Sequence, residues 1–172
     1  MERTQIRIEI KDFKNAGDVE IDPLDEYSPL EKGIRCFCRD RNCHIELQVG
    51  EERLDLDLFD DVLPELDSLP HALASLSRGE SFELGFGELC TSLVFSAQNN
   101  EVMCKLKTFG YEHIQKEYTL DRRESLETLG QFVNSLIKRA VQEGFVRQAD
   151  AECYVGPLRE AFGEQGLAYA SG

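Results

Sequence analysis

Apolar residues recur along this chain with two periods, and the switch between them divides it into elements. Ile6, Ile8 and Ile10 alternate with Arg7 and Glu9, the period of a half-buried strand. The stretch from Lys14 to Gly33, with two prolines, two glycines and a run of acids, reads as a long irregular connection, with a short strand at residues 19–21. In "IRCFCRDRNCHIELQV", Ile34, Cys36 and Cys38 share one face, as do Cys43, Ile45, Leu47 and Val49 after a polar turn through Asp40 and Asn42. This alternation predicts a β-hairpin with its cysteines on the apolar face. Leu54, Leu56 and Leu58 then alternate with Arg53, Asp55 and Asp57, predicting a third strand with acids outward.

From Leu63 the period lengthens. Leu63, Leu66, Leu69, Leu73 and Leu76 form a helical stripe. Pro64 fits a first turn after Asp61, but Pro70 would remove a donor mid-helix. The pattern therefore predicts a short helical turn and a restart with Ser68 as N-cap, closed by Arg78 and Gly79. Period two returns in Phe82, Leu84 and Phe86, in Leu89, Leu93 and Phe95, in Val102, Cys104 and Leu106, and in Ile114, Tyr118 and Leu120. Asp121, with Glu124 three residues on, caps a last helix whose stripe runs from Leu126 to Val141 and ends at Gly144. Residues 145–172 read as a peripheral tail with one short helix over 157–162 and a disordered end. The order strands, helix, strands, helix predicts a single α+β domain over residues 1–172, a mainly antiparallel sheet with helices packed on one face.

Composition adds one unusual number. Apolar and charged contents of 41% and 30% are ordinary, but the net charge is −14. Such a charge disfavours nucleic acid and anionic membranes and favours a basic protein partner or simply high solubility. No apolar run approaches the about 20 residues of a membrane helix, and the first residues have no signal-peptide core, so a cytoplasmic protein is expected. There the six cysteines are expected to be thiols.

Three constellations carry possible chemistry. Cys36, Cys38, Cys43 and His44 are ligand types that zinc accepts. Cys43 and His44 are adjacent, however, and extended backbone sends neighbours to opposite faces. Core thiols and no metal or other cofactor are expected; the alternative is a zinc- or thiol-dependent regulatory protein using this cluster. Secondly, between Glu51 and Asp67 lie eight acids and one Arg, a local charge of −7. A calcium loop starting at Asp55 would need Gly at its sixth position and Glu at its twelfth, where Asp60 and Leu66 stand. Asp55, Asp57, Asp60, Asp61 and Glu65 are instead the candidate partner-binding face, weighed against a merely solvated strand and helix start. Thirdly, Phe37 and Phe59 read either as a contact patch beside these acids or as residues covered by the N-terminal connection. "GFGE" lacks a Walker lysine and opens no helix. With no catalytic motif, the chain is not expected to be an enzyme.

A three-stranded start, "LPELDSLPHALASLSRGESFEL", a second run of strands and "LDRRESLETLGQFVNSLIKRAVQEG" make a layout that resembles small bacterial immunity proteins encoded beside polymorphic toxins. The resemblance covers residues 34–144. It is one of layout and carries no site residues. It implies a non-enzymatic protein that binds and blocks a cognate basic toxin or effector.

Overall fold

A computed structural model describes residues 4–14, 26–110 and 113–168. The strand predicted at residues 19–21 and the last residues, 169–172, lie outside them. The fold is α+β, with two antiparallel sheets. Strands β1 (Ile6–Lys14), β2 (Asn42–Val49) and β3 (Glu52–Asp57) form one, in that order. Strands β4 (Ser81–Phe86), β5 (Thr91–Gln98), β6 (Glu101–Thr108) and β7 (Ile114–Asp121) form the other, a meander. A parallel bridge from Thr4 to Leu120 links the start of one sheet to the edge of the other. At this junction Gly50 turns β2 into β3 with φ 59°, and a Cβ there would stand 2.8 Å from the Tyr118 ring.

The expected hairpin at Ile34–Val49 is corrected on its first limb. Pro29–Asp40 is a helix, α1, and only β2 is a strand. Ser28 Oγ accepts from the Glu31 amide at 3.1 Å, and Pro29 occupies the first turn, where its missing N–H costs nothing. Ile34, Phe37 and Cys38 are buried at helical spacing, so the alternation of Ile34, Cys36 and Cys38 is incidental. Phe37, expected on an outer surface, is fully buried and meets Phe145 edge-on at 5.5 Å between ring centroids.

The interrupted leucine stripe takes the expected form: α2 (Leu63–Leu66), then α3 (Leu69–Ser77), with Arg78 and Gly79, the latter at φ 95°, ending it. Ser68 flanks the restart but does not cap it; its hydroxyl donates back to Glu65 O at 3.1 Å. Helix α4 (Arg122–Gln142) begins as predicted, with Asp121 Oδ1 accepting from the Glu124 amide at 2.9 Å. The Arg122 guanidinium donates to the carbonyls of Leu76, Ser77 and Asn99, tying the end of α3 to the β5–β6 turn.

The segment after Gly144 is more than a tail with a short helix. Helix α5 (Gln148–Ala168), kinked at Gly163, buries Ala151, Val155 and Leu158 and packs on α3 and α4. The Tyr154 hydroxyl donates to Leu66 O. Leu89, expected to face inward on a strand, lies in the β4–β5 turn and is exposed. One cluster of buried residues draws on both sheets and on α1, α3, α4 and α5. No helix among the described residues is long and apolar enough to cross a membrane.

A Cβ on Gly33 of α1 would stand 2.3 Å from the Phe145 carbonyl oxygen. Ala is ordinarily the better helix former by about 1 kcal/mol. Here the clash wins, and Gly33→Ala is expected to destabilise the protein by about 1–3 kcal/mol in urea unfolding.

Candidate acidic contact site

Several carboxylates on the strands are charge-compensated. On the first, Glu46 of β2 accepts from Lys11 at 2.9 Å and lies 3.6 Å from Arg53. On the second, Lys105 pairs with Glu117 at 3.0 Å. Lys116 pairs with Glu52 across the junction of the sheets. The pairs within each sheet follow from register, since residues on one face of neighbouring strands stand opposite or diagonal to each other.

The acid-rich segment after β3 is organised differently. Leu58–Val62 forms a wide helical turn of π type. Asp57 starts it: Oδ1 accepts from the amides of Phe59 and Asp60 at 2.9 and 3.1 Å, and Oδ2 from Asn42 Nδ2 at 2.8 Å. Asp61, buried, turns back so that Oδ2 accepts from the Asp57 amide at 2.8 Å, while Oδ1 has no partner. Asp57 and Asp61 are thus built into the turn. Asp60 is exposed, and burial of part of its surroundings raises its carboxyl above the usual range, helped by the negative charges of Asp57, Glu88 and Asp61. Glu88 belongs to the β4–β5 turn and comes close because the π turn packs on β4. A Cβ on Gly85 of β4 would stand 3.6 Å from Glu65 Oε1, which places Glu65 over the same strand. Asp55 lies apart, exposed on β3 opposite Glu46.

Of the five candidates, then, Asp57, Asp60 and Asp61 come together, Glu65 sits against β4 nearby, and Asp55 belongs to the sheet face. Among the described residues none of the five, nor Glu88, forms an ion pair. Sequence reasoning missed Glu88. It lies remote in the chain and joins the cluster only through the packing of the π turn on β4. Phe59 is half-buried within this turn.

The cysteine cluster is not assembled. Cys43 is buried on β2, and His44 beside it is exposed on the opposite face, while Cys36 and Cys38 sit on α1. Among the described residues no group of three or more His, Cys, Asp or Glu side chains is placed to hold a metal ion. Burial pushes the Cys38 and Cys43 thiols up to about 12, with the Asp57 charge adding to both, and burial alone does the same to Cys104. These are core thiols, not nucleophiles. Cys90 and Cys153 are exposed.

Comparison of the chain with protein families, curated proteins and solved structures gives no match.

Three outcomes are expected from this geometry. Asp57→Ala, which takes the carboxylate acceptor from Asn42 Nδ2 and the Asp60 amide and leaves the Phe59 amide only Asn42 Oδ1, should cost about 1–3 kcal/mol in urea unfolding, while Asp55→Asn should stay within about 0.5 kcal/mol. In the native protein a thiol reagent should modify Cys90 and Cys153, with Cys38, Cys43 and Cys104 about 100-fold slower or more. The same buried thiols keep their protons when unfolded thiols, at 9.0, have lost theirs. Their contribution to stability is therefore intact below pH 9 and is lost as pH rises from 9 towards 12, a fall that alkaline urea titrations would register.

Proposed function

We propose that this chain is a non-enzymatic binding protein that takes a basic protein, a toxin or related effector, on its acidic surface and neutralises it. The observation that carries the reading is the contrast between compensated and uncompensated charge. On the strands Glu46, Glu52 and Glu117 have Lys or Arg partners, whereas among the described residues Asp57, Asp60, Asp61 and Glu88 crowd together with none. Crowded like charges oppose the compact state, and a cationic partner would relieve that repulsion. The net charge of −14 adds long-range attraction for such a partner and speeds encounter. The layout's resemblance to immunity proteins points the same way, towards inhibition by occlusion. The zinc- or thiol-dependent alternative has less support, since Cys43 and His44 face opposite ways and Cys38 and Cys43 are sequestered.

The test is native mass spectrometry of the chain captured from a lysate of its own host at low salt. A basic protein at fixed stoichiometry, released by salt, is the expected result. Asp60→Asn with Glu88→Gln should slow association by about tenfold at low salt. A complex indifferent to salt and to these substitutions, or a lone chain carrying stoichiometric zinc, would overturn the reading.

A further inference from the structure

Large apolar side chains exposed singly are normal on a protein surface; several at one place are not. Among the described residues three large hydrophobics are exposed: Leu89 at 39%, Phe109 at 51% and Ile114 at 42%. All three lie at one end of the four-stranded sheet. Leu89 is in the β4–β5 turn, Phe109 directly follows β6, and Ile114 opens β7. The β4–β5 turn is tied to the ends of β6 and β7: the Phe109 amide donates to the Cys90 carbonyl at 2.7 Å, and Ile114 pairs with Thr108, whose Oγ1 accepts from the Ile114 amide at 3.1 Å. Cys90 holds φ 47°, a left-handed conformation disfavoured for a residue with a Cβ, so the turn's shape is fixed at some cost. This apolar end is continuous with the acid cluster, because Glu88 precedes Leu89 in the same turn and the π turn bearing Asp60 packs on β4. Lys107 on β6 is a cation at the same strand end.

We propose that the β4–β5 turn and the adjoining ends of β6 and β7 form the docking surface for the basic partner, with Leu89, Phe109 and Ile114 as its apolar anchors and Glu88 and Asp60 as its charged rim. The inference rests on the acidic-surface reading above and goes further by locating the contact and dividing its work. Carboxylates attract and orient; desolvation of the apolar side chains holds. This is the usual anatomy of a protein contact, a small apolar centre with a polar margin, in which aromatic side chains are over-represented. The occupant is a basic protein because Glu88 and Asp60 crowd each other and outnumber Lys107 at this end, and among the described residues neither carboxylate forms an ion pair.

Two short lysine peptides of equal length and charge, one with interspersed leucines and one with serines, test this on the full chain. The leucine peptide should bind about tenfold tighter, the order expected for one well-buried apolar side chain. Its largest amide shifts in nitrogen-15 spectra should fall on Glu88–Cys90 and Thr108–Gly110. In the Leu89→Ser/Phe109→Ser variant the two peptides should bind within about twofold of each other, as the apolar contribution disappears. Asp60→Asn/Glu88→Gln should weaken both peptides and flatten their salt dependence while leaving the gap between them. Shifts centred elsewhere on the wild-type protein would overturn the proposal without recourse to a variant. So would a gap that survives the serine substitutions. If both peptides bind alike and both respond to the charge substitutions, the docking inference fails and the acidic surface stands. If neither binds in a salt-dependent way, both fail. Concentration-dependent self-association abolished by Phe109→Ser would assign this end to a second copy of the chain and overturn the proposal as well.

Discussion

Helix α4 packs its apolar stripe against β1 of one sheet and against β6 and β7 of the other. A three-stranded sheet is stable only when one face leaves water, and neither sheet here has a second sheet stacked on it. Leu129, Val133, Leu136 and Ile137, all buried, supply the shared surface. At about 1.5–3 kcal/mol for each fully buried large apolar side chain, a few such residues equal much of a domain's net stability. The Thr4–Leu120 bridge and the fit of Gly50 against Tyr118 then fix how the two sheet edges meet over the helix.

The ends of α4 carry this constraint outward. At its start, Arg122 binds carbonyls at the end of α3 and in the β5–β6 turn, which sets α3 relative to the four-stranded sheet and places a cation at a helix C-terminus, where the dipole favours it. With α3 fixed, α2 and the π turn before it must cross from β3 to β4. Asp57 and Asp61 make that crossing possible by accepting backbone amides that no regular ladder satisfies. The acid run therefore divides. Two of its members are spent inside the turn, and the turn they build carries Asp60 to Glu88.

Much of this was legible beforehand, and the failures have specific causes. The α+β class, the broken leucine stripe and the capped α4 could be read because periodicity and capping agree there, as in Asp121 with Glu124. The hairpin at Ile34 failed because Ile34, Cys36 and Cys38 mimic period two within a segment whose true spacing is Ile34, Phe37, Cys38. Ser28, Pro29 and Glu31 form an N-terminal signature that would have exposed the helix. Helix α5 was hidden by Gly156 and Pro157, although Ala151, Val155 and Leu158 stand at helical spacing. The candidate acids were legible as a run, but a run says nothing of which carboxylates face a backbone amide. Glu88 could not be found at all, since only packing of the π turn on β4 brings it in.

Uncompensated charge and exposed apolar surface are both unfavourable to an isolated protein, and each has an ordinary local remedy. The sheet faces use it for charge: Lys11 and Arg53 flank Glu46, and Lys105 meets Glu117. The core uses it for apolar groups; even Phe145, beyond the end of α4, finds Phe37. At the turn bearing Glu88 and Leu89 neither remedy is applied among the described residues. Repulsion among carboxylates lowers the cost of bringing a cation there, and exposed Phe109 and Leu89 lower the cost of covering it. A cationic, partly apolar partner surface would remove both penalties in one contact. Nothing in the packing of β4 to β7 requires the two penalties to coincide: β5 and β6 at their other end turn through polar Asn99 and Asn100. That asymmetry between the two ends of one sheet is the physical reason for proposing a contact at Leu89, Phe109 and Ile114.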